Sequence, residues 1–405
     1  MYGKNPGPSS APSDKSKIDL RHRAPRPMPS LPIKKHKMTS LLRTLTDRFT
    51  PNASSTDLTA TERRKDGFLT AKGTDALFDR TKAEIDGDEC LHDCESCTVS
   101  LPRKWAIDEE DKLYGHIQGW SRHLLVATGK SDWVRDVADE EDSVMQAMGK
   151  HGADVEGGKL MLSASNIPVP DHADSDGPYG KDRPTTVLLL PTFKWIDGVT
   201  PNKVPQLIQS VINTAPTNLT PLGSLPNAAT GPDPAGPPTP PDLSALSLEP
   251  SNLPPGMTLR NCPHKYLILL CSQGTRDARC GQSAPLLRRE LERQLRPLGL
   301  YRDLHDERPG GVGIYFISHV GGHKYSANMM VYRRGEPKRT VSEQIGAGKE
   351  EPSAETEAAQ CIWLARIRPE DCENVVRFTV LQGKVVKPES QLRGGFDREK
   401  GVVSW

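Results

Sequence analysis

The run "KYLILLCSQGTRDARCGQSAPLLRRELERQL", residues 265–295, carries a strand, a cysteine loop and a helix in succession, and the rest of the chain is read outward from it. Tyr266–Leu270 is an unbroken row of strand formers that ends at Cys271, and a polar loop leads on to Cys280. Pro285 suits the first turn of a helix in which Leu287, Leu291, Leu295 and Leu298 recur at helical spacing until Gly299 closes it. Downstream, "GIYFISH" (313–319) and "MMVYRR" (329–334) are the next strand candidates, and "PEDCENVVRFTVLQGK" (369–384) reads as a helix ending at Gly383. Strand, loop, helix, strand, strand, helix is the order of a thioredoxin-like α/β fold. No internal repeat is evident in residue identity.

Upstream, "HLLVATG" (123–129) and "TTVLLLPTF" (185–193) are short apolar runs bounded by Gly, Pro and Asp, as buried parallel strands often are. They place a second, divergent α/β domain at residues 81–205. Between the two blocks, residues 216–255 hold 12 prolines in 40 positions, so a proline-rich linker is expected over 206–258, with the second domain at 259–405. Residues 1–80 are rich in Ser, Thr, Pro and basic side chains without a sustained apolar period, and a disordered basic tail is expected there.

Several function classes fall away on composition. The chain has 405 residues with a net charge of +1, which gives no basic surface for a nucleic acid. No apolar run approaches the roughly 20 residues that span a bilayer, and no apolar signal-peptide core is present, so an intracellular protein without a membrane span is expected. In a reducing compartment its eight cysteines are expected as thiols or metal ligands rather than disulfides.

Cys271 and Cys280 sit at the C-terminal end of one strand candidate, and His319 ends the next on the same side if the two strands are parallel. His323 follows across Gly321 and Gly322, whose conformational freedom lets the backbone approach a bound group. Two thiolates and two imidazoles hold either tetrahedral zinc or an iron–sulfur cluster. The eight-residue gap between the cysteines is wider than a zinc knuckle, and the order, cysteine pair before histidine pair, differs from a Rieske site.

These residues carry a resemblance. "CSQGTRDARCG" (271–281) with "HVGGHKYSANMMVY" (319–332) and "QLRGG" (391–395), together with "YGHIQGWSRHLLVATGKSDW" (114–133), resembles the sucrase/ferredoxin-like family of fungi and plants. The resemblance implies a thioredoxin-like ferredoxin with a 2Fe-2S cluster ligated by Cys271, Cys280, His319 and His323. Gly321, Gly322, Lys324 and Asn328 are candidates for the surroundings of those ligands. The family's sucrase label finds no recognisable pair of catalytic carboxylates, so an electron carrier rather than a catalyst is expected, without glycosidase activity. An electron-transfer or redox-sensing role, with an unidentified redox partner, stands against a zinc-stabilised interaction module without redox chemistry.

"ECLHDCESC" (89–97) adds Cys90, Cys94 and Cys97 as accessory thiols, read as unligated cysteines before a metal knuckle or a redox dithiol. The basic start is a weak mitochondrial signal, whereas the terminal "VSW" is similar to the C-terminal tripeptide read by the cytosolic iron–sulfur assembly machinery. A mobile tail presenting Trp405 to that machinery, in the cytoplasm, is the expectation, with mitochondria as the alternative and packing of Trp405 on its own domain as the competing reading.

Overall fold

The computed structural model describes residues 61–170, 183–222, 253–335 and 357–405. Most of the expected basic tail and of the proline-rich linker lies outside them. Among these residues fourteen strands form one mixed sheet: β1 (Thr61–Arg63), β2 (Leu69–Ala71), β3 (Arg122–Ala127), β4 (Leu160–Ser165), β5 (Thr185–Leu190), β6 (Lys194–Val199), β7 (Thr258–Asn261), β8 (Tyr266–Cys271), β9 (Tyr301–Arg302), β10 (Val312–Ile317), β11 (Met329–Arg334), β12 (Ala358–Leu364), β13 (Leu392–Asp397) and β14 (Val402–Val403). Their order across the sheet is β1-β2-β14-β13-β12-β11-β8-β10-β4-β3-β5-β6-β7, with β9 alongside β10.

The central part of this order repeats. β8 leads through a helix (Ala278–Leu295) to β10, which is parallel to it; β11 is antiparallel to β8 and β12 antiparallel to β11, and a helical segment begins at Pro369. In the other block β3 leads through a helix (Val144–Lys150) to the parallel β4; β5 is antiparallel to β3 and β6 to β5, and a helix begins at Val204. Both are a four-stranded thioredoxin-like arrangement, in the second block one strand, β12, beyond the three expected, so the α/β class holds and the architecture is duplicated. The duplication is invisible in residue identity because only burial and strand pairing are shared. The two units meet where β10 and β4 pair antiparallel at their last residues, Ile317 opposite Ser165. That pairing brings the loops after both sets of parallel strands to the centre of the sheet.

Strand alternation sorts the core onto two faces. Ile268, Leu270, Ile314 and Phe316 face the helices, where Leu287, Leu291 and Leu295 pack on them. Leu267, Leu269, Tyr315 and Ile317 face the opposite side, in a cluster that includes Trp120, Trp195, Trp363 and Phe396. Leu298, expected in the buried stripe, is exposed, because the helix ends at Leu295.

Five further expectations change. The apolar runs of the first block are not parallel partners: β3 and β5 are antiparallel, and the parallel neighbour of β3 is β4, whose Ser163 and Ser165 hid it. Burial on both faces therefore does not identify strand direction here. The helix after Cys271 starts at Ala278 rather than near Pro285, because the Asp277 carboxylate accepts from the Arg279 amide and caps it there; Pro285 lies inside. Residues 61–80 are not all tail, since they supply β1, β2 and a helical turn (Thr74–Leu77), and Phe68, Leu77 and Phe78 are buried. The linker is narrower than 206–258, because helix continues to Ile212 and β7 begins at Thr258. Finally, the C-terminal residues are not a mobile tail: "LRGGFD" is the wholly buried β13, and β14 pairs with both β13 and β2. The Trp405 ring lies 4.6 Å from Trp120, and its carbonyl accepts from Arg64 Nη1 at 2.7 Å and Thr70 Oγ1 at 3.1 Å.

Candidate metal centre

The register of β8 and β10 pairs Cys271 with Ile317, so Cys271 and, two residues past Ile317, His319 emerge side by side at the C-terminal ends of adjacent parallel strands. Cys280 reaches the same point from the first turn of the 278–295 helix. The Cys271 and Cys280 sulfurs and one imidazole nitrogen of His319 lie within 4.8 Å of one another, with Cys271 Sγ 3.8 Å from His319 Nδ1. Both cysteines are buried and His319 is half-buried. Among the described residues, no other set of three His, Cys, Asp or Glu side chains is gathered in this way.

The two thiols share their environment unequally. A hydrogen bond from Cys271 holds the Cys280 thiol well below its ordinary range, against the effect of burial and with further help from His319 and Ser326. That same bond, with burial, pushes Cys271 well above it. The helix N-terminus adds to the preference for an anion at Cys280. The Ser326 hydroxyl lies 3.7 Å from Cys280 Sγ.

His323 is exposed, outside the 4.8 Å group, with its ring centroid 5.3 Å from that of His319. Gly321 and Gly322 both have positive φ, +87° and +69°, which turns the chain sharply enough to set the two imidazoles side by side. A β-carbon on Gly322 would come within 2.5 Å of Arg393 Nη2.

The surroundings divide the remaining sequence candidates. Asn328 is buried against the histidine loop, donating from Nδ2 to the Gly322 carbonyl at 3.1 Å, while its own carbonyl accepts from the Cys271 amide at 3.2 Å. Lys324 points elsewhere, to Asp111 and over the Tyr325 ring. In the cysteine loop, Asp277 is held below the usual carboxylate range by Arg279, and Arg276 donates to the Arg135 carbonyl. These charges secure a surface turn.

Two features escaped the sequence reading. Gln273 accepts from the His319 amide at 2.9 Å and donates to the Val134 carbonyl at 2.6 Å, while Ser272 and Thr275 bond Ser131 and Asp132. Thus the loop after β3 in the first unit straps the cysteine loop of the second. Its only sequence signal is the polar "GKSDW" following a strand. The other is Arg393, within the quoted "QLRGG", which donates from Nη1 to the Gly321 carbonyl at 3.0 Å and to Asn328 Oδ1 at 2.7 Å.

Cys90 and Cys94 are buried and Cys97 is half-buried, and the three are not gathered into a metal-binding group. Cys94 Sγ accepts from Arg293 Nη2 at 3.3 Å and from Gln294 Nε2 at 3.5 Å, whereas Cys97 donates to the Val99 carbonyl. The helix opening that a thioredoxin-type dithiol requires is missing after Cys97, where residues 98–121 form no helix. Cys262, Cys361 and Cys372 are buried, as packing residues are.

Comparison with known proteins gives this site a setting. The sucrase/ferredoxin-like family model matches residues 113–394, which include every residue of the Cys/Cys/His group. The chain is 25% identical to actin patches distal protein 1 of Saccharomyces cerevisiae over 340 residues, 79% of this chain and 90% of that protein. It is 31% identical to altered inheritance of mitochondria protein 32 of Clavispora lusitaniae over 31% of this chain and 33% of that protein, and 32% identical to the same-named protein of Debaryomyces hansenii over 30% and 34%. The matches to those two thus span about a third of their length. No solved structure matches. Over 113–394, then, with its Cys/Cys/His group inside the matched region, this chain belongs to the sucrase/ferredoxin-like family.

Proposed function

We propose that the chain is an electron-transfer or redox-sensing protein whose Cys271, Cys280, His319 and His323 hold a 2Fe-2S cluster. The observation that carries this reading is the donor set: two sulfurs and a nitrogen within 4.8 Å, with a second imidazole next to the first yet outside that group. Three donors fit around one ion, whereas a fourth set further out suits a binuclear centre. When bound, such a cluster accepts and returns one electron. The chain's own part is to supply charge, position and access. Cys271 and Cys280 provide buried sulfur ligands, the end of β8 and the first turn of the 278–295 helix fix their separation, and the exposed His323 marks the side on which an unidentified redox partner approaches. Neutral imidazole carries less negative charge than thiolate, so this ligand set favours reduction relative to four cysteines.

The compactness of the Cys271, Cys280 and His319 group supports a second reading, a single zinc ion stabilising an interaction module. Iron, sulfide and zinc analysis of anaerobically purified protein, with visible and EPR spectra, separates the two.

Among the described residues no helix is long and apolar enough to cross a membrane. We place the protein in the cytoplasm, with mitochondria as the alternative in view of the relatives named for mitochondrial inheritance. Cell fractionation with an antibody to the chain decides this. Recognition of Trp405 by an iron–sulfur assembly factor requires its ring to leave Trp120.

A further inference from the structure

We propose that Arg393 is the positioning and charge-setting residue of this site, a buried cation that holds the histidine loop in place and favours an added electron on the group bound there. The proposal rests on the 2Fe-2S reading and goes beyond it to a residue that is not a ligand.

Arg393 is 3% exposed. Its guanidinium donates to the carbonyl of Gly321 and to Asn328 Oδ1, and at 3.4 Å to the carbonyl of His116; its flat face lies 4.4 Å from the Trp363 ring centroid and 5.6 Å from that of Tyr325. Every one of these partners is neutral. Its Nε has no hydrogen-bond partner, and among the described residues no carboxylate pairs with it. Burial of an uncompensated charge is costly, so such a residue is retained where a counter-charge is supplied from elsewhere. The nearby group that can supply one is the metal site once it has taken up an electron: the charge on Arg393 acts on Cys271, and its fork grips the loop between His319 and His323.

Two anchors fix that loop. Arg393 takes the Gly321 carbonyl and Asn328 takes the Gly322 carbonyl, while Asn328 is itself held by Arg393. Gly322 leaves the space into which Nη2 fits. The same guanidinium therefore sets both geometry and potential.

The sign of the electrostatic effect follows from charge counting. Two thiolates and two neutral imidazoles around an oxidised 2Fe-2S core sum to zero, and one added electron leaves one negative charge. A fixed cation in a poorly solvated site stabilises that reduced state. Arg393 thus raises the reduction potential, and its partners Trp363, Tyr325 and Asn328 keep it in place without cancelling its charge.

The test compares wild type, R393K, R393Q and N328D, purified without oxygen, by spectroelectrochemical titration. The last variant puts a carboxylate against the guanidinium with almost no change of shape, at the loss of the donor to the Gly322 carbonyl. R393Q and N328D are expected to shift the midpoint to lower potential, with R393K remaining nearer wild type. In metal-free protein, amide exchange at residues 321–324 is expected to speed up in R393Q. If R393Q fails to fold, N328D decides alone. A wild-type midpoint in a cluster-bearing R393Q or N328D overturns the proposal, as does an equal shift in R393K and R393Q, which would make packing rather than charge responsible. A wild-type chain purified without iron overturns the cluster reading itself, and is recognised before any variant is titrated.

Discussion

If Cys271 and Cys280 hold the metal as proposed, serine cannot replace them, because a hydroxyl is a poor donor to soft metal and the buried site offers no substitute. Cys271→Ser and Cys280→Ser are each expected to lose most bound iron and sulfide with the fold retained, measured by metal analysis beside circular dichroism. Full occupancy in either would mean that other thiols hold the metal. His323→Cys is expected to keep a cluster while lowering its potential, since thiolate adds negative charge. Gly322→Ala is expected to be worse than Gly321→Ala for metal occupancy: both glycines have positive φ, yet only at Gly322 does the new carbon meet the Arg393 guanidinium. These residues were legible in sequence because ligand types, spacing and the Gly-Gly pair lie close together in the chain. Arg393 was not, since nothing local to it indicates that β13 carries it to the loop at Gly321.

At the level of elements, the site depends on where one helix begins. Asp277 caps the 278–295 helix and thereby places Cys280 in its first turn, so Asp277→Ala is expected to cost about 1 kcal/mol in denaturant unfolding and to weaken metal retention as well. The proline at 285 misled the sequence reading because proline favours a first turn; a satisfied cap and the burial of Ser283, Ala284 and Leu287 outweigh its missing donor. A separate pH effect comes from β3. His123 is fully buried between Tyr332 and Ser163, and burial lowers its pKa to about 3. The unfolded chain therefore takes up the proton first: stability is intact above about pH 6.5 and is lost as pH falls from there toward 3, by roughly 1.4 kcal/mol per pH unit for this group. Metal-free protein should show this slope in urea titrations, and His123→Asn should reduce it.

Across the whole molecule, the two thioredoxin-like units differ in what they carry. The unit after β7 holds the Cys/Cys/His group, whereas at the corresponding end of β3 stands Ala127, and that unit instead sends Ser131–Arg135 across the cysteine loop. Apolar runs marked β8, β10 and β11 of the second unit but only β3 and β5 of the first, with β4, β6 and β12 unmarked; the edge-to-edge joining of the units was not readable either, because it rests on a single antiparallel pair and side-chain bonds such as Asn166 to the Phe316 amide. The same holds for the edge formed by β1, β2 and β14, which at two or three residues each are too short to give a periodic signal. Phe68→Ala is expected to destabilise the fold by about 3–5 kcal/mol, since the ring is buried in the cluster that includes Trp120 and Val403. A thermal melt unchanged by that substitution would show that this edge contributes nothing to the core.

Whether Cys271, Cys280, His319 and His323 hold a 2Fe-2S cluster is decided by iron and acid-labile sulfide content together with the EPR spectrum of the dithionite-reduced protein, purified without oxygen. Two irons and two sulfides per chain are expected, with a reduced signal that disappears in Cys271→Ser. Stoichiometric zinc without sulfide, or a cluster that survives loss of Cys271, would contradict this assignment.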